Sequence, residues 1–191
     1  MNALLGVLGL FLLALLRQPL LLILAVGTAF VHVALADSKL AFMVQDVWSA
    51  LDKEVLLAIP MFLLAGAVMT RGSIARRLIR VMTALTAPVP GGMGVATVLS
   101  CAVFAAISGS SIVTMLAVGS VMFPALTASG YSRPFAIGLI CASGTLGIII
   151  PPSIPMILFG IMTETSITRL FIAGVLPGLL LTGLLAAFAI A

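Results

Sequence analysis

The sequence predicts an all-α polytopic membrane protein, and three observations support that fold class. Hydrophobic residues make up 63% of the 191 positions and charged residues only 7%, whereas soluble domains carry about 25% charged residues. The mean hydropathy is +1.39. The charges fall in short segments between long apolar runs. A soluble domain is therefore excluded, and nine basic residues scattered among apolar runs make no nucleic-acid-binding face.

Residues 1–87 are predicted to be scaffold-like transmembrane helices with interfacial amphipathic helices. Apolar runs at 2–16 and 19–36 form a helical hairpin, and 55–70 forms a further span. Between them, apolar residues recur at helical spacing: Leu40, Met43, Val44, Val47, Trp48 and Leu51. This pattern indicates a helix along the membrane interface with Trp48 in the aromatic belt. A solvated loop with coincidental spacing is the alternative.

A basic segment at 70–80 predicts which side of the membrane each loop occupies. Its arginines are Arg71, Arg76, Arg77 and Arg80, and Ile74, Leu78 and Met82 are expected on the opposing apolar face of a helix at the cytoplasmic headgroups. With an external N-terminus, six basic residues fall inside and three outside, in agreement with the positive-inside rule. The predicted topology therefore places the N-terminus in the periplasm.

Residues 88–163 are predicted to form a transport-type unit whose first part is a re-entrant hairpin at 91–127. Apolar arms at 91–107 and 112–127 flank the polar turn Ser108-Gly109-Ser110-Ser111. Unpaired backbone groups cost several kcal/mol each in hydrocarbon, on the order given for unsatisfied polar groups, so such a turn needs partners. Two complete spans would give the same sidedness. The uncharged tip and the small residues of both arms favour the re-entrant hairpin.

The second part of that unit is a helix broken at mid-membrane, over 134–162. Gly144 and Gly147 precede the cluster Pro151-Pro152-Ser153-Ile154-Pro155, and each proline removes a backbone donor. Loose helix ends offer carbonyl oxygens to a cation and N–H groups to an anion, as in many transporters. A proline kink used only for packing is the alternative. Residues 164–191 are expected to form a final transmembrane helix, truncated because no basic flank follows it.

Several uncommon motifs occur together in one order: LAIPMFLLAG at 57–66, RGSIARRL at 71–78, SGSS at 108–111, GY at 130–131 and GTLGIIIPPSIPM at 144–156. From about residue 44 onward the chain resembles the large membrane (permease) subunit of tripartite ATP-independent periplasmic (TRAP) transporters. The resemblance implies an N-terminal half, one of two inverted repeats of the ion-transporter superfamily. It also implies a bacterial inner-membrane protein that imports organic acids such as C4-dicarboxylates with sodium.

The same resemblance implies partners and site residues. The partners are a small TRAP membrane subunit and a periplasmic substrate-binding protein that delivers the organic acid. The implied sodium-binding residues are Ser108, Gly109, Ser110, Gly144, Thr145, Gly147 and Pro151. The implied substrate-binding residues are Ser110, Ser111, Pro152 and Ser153. No catalytic residue, no organic cofactor and no metal other than sodium is expected.

The residues themselves also favour sodium as the coupling ion. No Asp, Glu, Lys or Arg lies deep in a predicted span, where proton relays place titratable groups. His32 is near the outer end of the second span, and a neutral, hydrogen-bonded interfacial histidine is the simpler interpretation. An intramembrane serine protease is disfavoured because Ser108 has no suitably placed base. A passive channel and a non-transporting assembly piece remain alternatives.

Overall fold

A computed structural model describes residues 2–35 and 40–190, and every regular element in these ranges is helical. No strand occurs in the described ranges, which confirms the all-α fold class. The backbone divides into two compact units, Met1–Glu54 and Val55–Ala191. The finer subdivision at residues 87 and 163 stays a prediction.

The N-terminal unit is a helical hairpin followed by an amphipathic helix. Its helices are α1 (Asn2–Leu15), α2 (Leu20–Phe30), continued by a π-helical turn over Val31–Leu35, and α3 (Leu40–Leu51). The first two pack closely, because a Cβ at Gly27 would lie 3.1 Å from the Leu10 side chain. The predicted hairpin is thus confirmed. Helix α3 covers the predicted interfacial helix, and its Trp48 is 71% exposed. Asp37 and Lys39, which the topology places outside, lie outside the described residues.

The second unit contains α4 (Ala58–Arg71), which follows a 3₁₀ turn over Glu54–Leu57, and then α5 (Ile74–Thr86). Helix α5 packs along α6 through a buried face that contains Ala75 and Ile79. Of the three residues expected on the apolar face, Leu78 and Met82 pack beside this buried face, whereas Ile74 is 47% exposed. The packed face is centred on Ala75 and Ile79, one residue further along, so Ile74 points away from α6.

The core of the second unit is built around α6 (Gly92–Ser108), which packs on α5, α7, α8, α9 and α11. Fully buried side chains on α6 include Val98, Cys101 and Phe104. Helix α7 (Ser111–Ala128) follows after a very short turn, so the two helices form a hairpin. Its re-entry into the membrane, as opposed to two complete spans, stays a prediction.

The predicted broken helix is present as three helical pieces. They are α8 (Arg133–Gly144), α9 (Leu146–Ile149) and α10 (Ile154–Met162), with non-helical residues at 150–153. Helix α8 starts at Ser132, whose side-chain oxygen accepts a hydrogen bond from the Phe135 N–H. The last helix, α11 (Ile167–Ile190), packs against all three pieces. It approaches the break closely, because a Cβ at Gly174 would lie 2.8 Å from the Ile149 carbonyl oxygen.

Four helical segments are long and apolar enough to cross a membrane: Glu54–Arg71, Ser111–Ala128, Arg133–Met162 and Ile167–Ile190. Shorter apolar helices occur at Gly6–Leu15, Leu20–Ala34 and Gly92–Ser108. Large apolar side chains are exposed along most of these helices. Such surfaces are expected on a protein whose solvent is lipid. The chain is therefore an integral membrane protein with several spans.

Candidate functional site

The first component of the candidate site is the turn between α6 and α7. Gly109 adopts the left-handed conformation, φ 62°, and Ser110 is extended, so the chain reverses direction within two residues. The buried Ser108 hydroxyl is 2.8 Å from the Thr114 hydroxyl and 3.3 Å from the Ser110 carbonyl oxygen, to which it donates. Thr114 was not predicted as part of the site. Its hydroxyl lies on the first turn of α7 and holds the Ser108 side chain against the turn.

The second component is the break between α9 and α10. Pro152 has no N–H, so the Ile148 carbonyl loses its normal helical partner four residues on. The Ser153 hydroxyl replaces that partner and donates to the Ile148 oxygen at 2.8 Å. Ser153 is fully buried, and its backbone is extended before α10 begins. The hydroxyl therefore ties the two ends of the break together across the missing hydrogen bond.

These two interruptions of helix meet each other. The Ile154 N–H donates to the Gly109 carbonyl at 3.1 Å. A Cβ at Gly109 would lie 2.9 Å from the Pro152 carbonyl oxygen, and a Cβ at Gly147 would lie 2.7 Å from the Ser110 carbonyl carbon and oxygen. Two backbones can approach this closely only where a side chain is missing. The structure thus brings together two stretches that are about forty residues apart in sequence, as the predicted site requires.

Three predicted ligands have other surroundings. The nearest atoms to a Cβ at Gly144 belong to Met115 of α7, at 2.9 Å, so Gly144 permits close packing of α8 on α7. Thr145 is exposed, and its hydroxyl donates to the Ala142 carbonyl at 2.7 Å, within its own helical turn. Pro151 is half-buried and joined to Pro152 by a cis peptide bond. Their assignment to sodium stays a prediction.

One hydroxyl near the break was missed. Ser143 is fully buried, and its side-chain oxygen has no hydrogen-bond partner among the described residues. It lies one helical turn before Gly147, the residue that touches the Ser110 peptide. A buried hydroxyl without a partner costs about 1–3 kcal/mol. The four-residue spacing from Gly147 was a signal in the sequence, but only burial distinguishes Ser143 from an ordinary helical serine.

The site contains no charged side chain of its own. Residues 81–132 and 134–163 include no Asp, Glu, Lys, Arg or His. Ser110 and Ser111 are half-buried, and within the described structure their hydroxyls make no hydrogen bond. The available ligands are therefore neutral oxygens and the first N–H groups of α7. Neutral oxygens suit a hard cation of low charge, and helix N-terminal N–H groups suit an anion.

Comparison with known families identifies the type of protein. Residues 7–191 match the model of one family, the "Tripartite ATP-independent periplasmic transporter, DctM component". The chain belongs to this family. The resemblance drawn from the motifs is thus confirmed. The TRAP family consists of transporter permeases and not of enzymes. This confirms the expectation that the chain is not part of an enzyme.

Individual TRAP relatives are similar over most of the chain. A C4-dicarboxylate TRAP transporter large permease protein from Pseudomonas aeruginosa is 55% identical over 126 residues, which are 66% of this chain and 30% of that protein. Its counterpart in Vibrio cholerae is 44% identical over 146 residues, 76% of this chain and 32% of that protein. An ectoine TRAP transporter large permease protein from Halomonas elongata is 42% identical over 148 residues, 78% of this chain and 35% of that protein.

The chain spans about a third of the length of the curated TRAP relatives that it matches. The names of these relatives also differ in substrate, since one group is named for C4-dicarboxylates and another for ectoine. Family membership therefore establishes the class of protein.

Proposed function

We propose that this chain is the N-terminal repeat of the large membrane subunit of a sodium-coupled secondary transporter, which imports organic acids such as C4-dicarboxylates. In this proposal it works in a bacterial inner membrane with its N-terminus in the periplasm. A small membrane subunit and a periplasmic substrate-binding protein complete the system, as the tripartite family description suggests. The complete site would also use the second inverted repeat.

The observation that supports this proposal is the contact between the two helix interruptions. The Gly109 carbonyl accepts the Ile154 N–H at 3.1 Å, and Gly147 abuts the Ser110 peptide. Non-helical backbone at membrane depth is tolerated where it is buried in protein or lines a cavity for a ligand. Pairs of helix ends in contact are the arrangement with which secondary transporters hold ions and carboxylates near the bilayer midplane.

Sodium is the coupling ion that best fits the ligand atoms. Ser110, Ser111 and Ser143 supply hydroxyl oxygens without hydrogen bonds in the described structure, and no titratable side chain occurs in 81–132 or 134–163 to relay a proton. One net positive charge moving inward gains about 2.3 kcal/mol per 100 mV of membrane potential. An excess of sodium charge over substrate charge would therefore drive uptake.

An organic acid fits the N-terminal end of α7, one of the two re-started helices. The N-cap residues Ser110 of α7 and Ser153 of α10 make no side-chain capping hydrogen bond. The first N–H groups of α7 are therefore free for a ligand carboxylate, and the positive end of the helix dipole favours an anion there. C4-dicarboxylates are chosen because the relative with 55% identity carries that name.

Uptake by the complete transporter tests the function. The full-length subunit that contains this chain would be reconstituted in liposomes with its small subunit, binding protein and radiolabelled succinate. The proposal expects uptake that saturates with substrate and stops when the inward sodium gradient is replaced by choline. Flux that rises linearly with substrate and ignores sodium would instead indicate the passive channel.

Sodium binding can be tested in this chain by itself, because the buried, unpartnered Ser143 has a matched control. Ser143 and Ser100 are both fully buried without a hydrogen-bond partner, but Ser100 lies in mid-α6, two turns before Ser108. We expect sodium, compared with potassium, to raise the thermal unfolding midpoint of the wild type and of Ser100→Ala. Ser143→Ala should lose that increase. An equal response of both variants would remove Ser143 from the site.

A further inference from the structure

Helix α5 has three distinct faces, and within the described residues only one of them packs against protein. Ala75, Ile79 and Thr86 are buried, and Leu78 and Met82 pack beside them. At 100° per residue these five side chains fall within one continuous face. This face holds α5 against α6 and needs no further partner.

The second face is basic. Arg76, Arg77 and Arg80 are exposed and lie within about 100° of one another on the helix surface, on the side away from α6. Arg71, at the last position of α4, is exposed as well. None of these four guanidinium groups forms an ion pair within the described part of the chain. No acidic residue occurs anywhere in 55–163, so the surrounding sequence offers no carboxylate to neutralise them.

The third face is apolar and is exposed in the described structure. Ile74, Val81 and Leu85 recur at intervals of seven and four residues and are 47%, 53% and 65% exposed. They form a strip between the arginine face and the packed face. The exposed surface of α5 is thus amphipathic in its own right.

These faces fit only one environment. Four unpaired arginines are expensive in hydrocarbon, and an exposed row of large apolar side chains is unfavourable in water. At the bilayer interface, the apolar strip can reach the acyl chains while the guanidinium groups stay at the level of the lipid phosphates. Arginine binds phosphate oxygens bidentately, so the arginine face is suited to hold specific headgroups.

We propose that the α5 arginine face, Arg76, Arg77 and Arg80 with Arg71 beside it, is a binding site for the headgroup phosphates of anionic phospholipids. The apolar strip of Ile74, Val81 and Leu85 anchors the helix among the acyl chains of the same leaflet. This site is independent of the transport chemistry at the α6–α7 turn. Because α5 packs along α6, lipid bound there would also brace the helix that carries Ser108 and Gly109.

Lipid retention by the purified chain tests the proposal. The 191-residue chain in detergent would be titrated with phosphatidylglycerol or with phosphatidylcholine of the same acyl chains, and bound lipid counted by native mass spectrometry. We expect preferential retention of phosphatidylglycerol. Each Lys or Arg near an anionic lipid surface strengthens binding about fivefold. The triple variant Arg76→Gln/Arg77→Gln/Arg80→Gln should therefore bind phosphatidylglycerol on the order of 100-fold more weakly.

A control variant with the same change in net charge distinguishes a specific lipid site from nonspecific electrostatic attraction of the chain to anionic lipid. Arg17, Arg133 and Arg169 are also exposed but lie outside α5, and their triple change to glutamine should alter phosphatidylglycerol binding less than twofold. The triple lysine variant of the α5 arginines keeps the charge and should retain most of the binding. Equal losses in the two glutamine variants would overturn the proposal.

Two measurements on the wild-type chain test the lipid site without relying on the folding of a variant. Equal retention of phosphatidylglycerol and phosphatidylcholine would contradict an anion-selective site. Displacement of the lipid by inorganic phosphate at the same concentration would show a site for small anions and would overturn the assignment to a lipid. We expect phosphate to displace it only in large excess, because phosphate cannot use the apolar strip.

Discussion

Two helices of this chain restart after an interruption, and each restarts at a serine with nearly the same backbone. Ser110 precedes α7 with φ −136° and ψ 128°, and Ser153 precedes α10 with φ −130° and ψ 129°. Neither side chain caps its helix. Their hydroxyls nevertheless differ. Ser153 is fully buried and donates to the Ile148 carbonyl, whereas Ser110 is half-buried and its hydroxyl has no hydrogen bond in the described structure.

The difference separates a structural serine from a serine available to a ligand. The break at 150–153 must replace a hydrogen bond that Pro152 cannot make, and Ser153 does so. At the turn over 108–111, the Gly109 N–H donates to the Ala105 carbonyl at 2.9 Å and the Ser110 N–H donates to the Ser108 hydroxyl at 3.4 Å, so the Ser110 hydroxyl takes no part in these bonds. Ser110 and Ser111 are therefore left free. Although both serines were predicted as substrate ligands, the contacts point to Ser110 as the one whose hydroxyl is available to a ligand.

The largest effect is expected where the two interruptions touch. In Gly147→Ala the new Cβ would lie 2.7 Å from three backbone atoms of Ser110 and Ser111, which cannot move away as a flexible side chain can. Overpacking of this kind costs about 1–3 kcal/mol, and we expect the upper end. The matched change Gly138→Ala in α8 meets nothing within 4 Å and should be neutral or slightly stabilising. Thermal unfolding in detergent compares the two, and equal midpoints would show that the turn and the break are not rigidly joined.

An intermediate effect is expected for Ser153→Ala. The change leaves the buried Ile148 carbonyl without a partner, which costs about 1–3 kcal/mol. Ser120 provides the control, because its hydroxyl donates to the Ala117 carbonyl at 2.9 Å on an exposed part of α7. Ser120→Ala should change the unfolding free energy by less than about 0.5 kcal/mol, as is usual for surface sites. If Ser153→Ala were equally mild, Ser153 would not be the structural member of the pair.

The smallest effect on stability, and the most specific effect on function, is expected for Ser110→Ala. No hydrogen bond is lost, so the unfolding free energy should change by less than about 0.5 kcal/mol. Losing one oxygen that binds a charged ligand costs about 1.5–3 kcal/mol, so the sodium concentration for half-maximal uptake should rise at least about tenfold in the full-length transporter. Ser129→Ala, which removes an exposed bond to the Ala125 carbonyl, should leave it unchanged. An unchanged sodium dependence in Ser110→Ala would contradict the contrast between the two serines.

Most of the architecture could be predicted from the sequence. The local signals are apolar runs, helical periodicity in 40–51, and Gly and Pro at the interruptions. Each of them predicted a helix or a break that the structure contains. On α5 the sequence predicted an apolar face of Ile74, Leu78 and Met82. Packing on α6 decided that Ala75 and Ile79 are buried and that Ile74 is exposed.

The sequence by itself determined that this chain is a helical membrane protein, where its helices break and to which family it belongs. Hydrophobicity, missing backbone donors and rare motifs are all properties of short stretches of sequence. Only the tertiary structure decided which oxygens near the breaks are free. The partner of a hydroxyl depends on the approach of distant backbones, so the bond of Ser153, the open hydroxyl of Ser110 and the buried, unpartnered Ser143 could not be told apart from residue type alone.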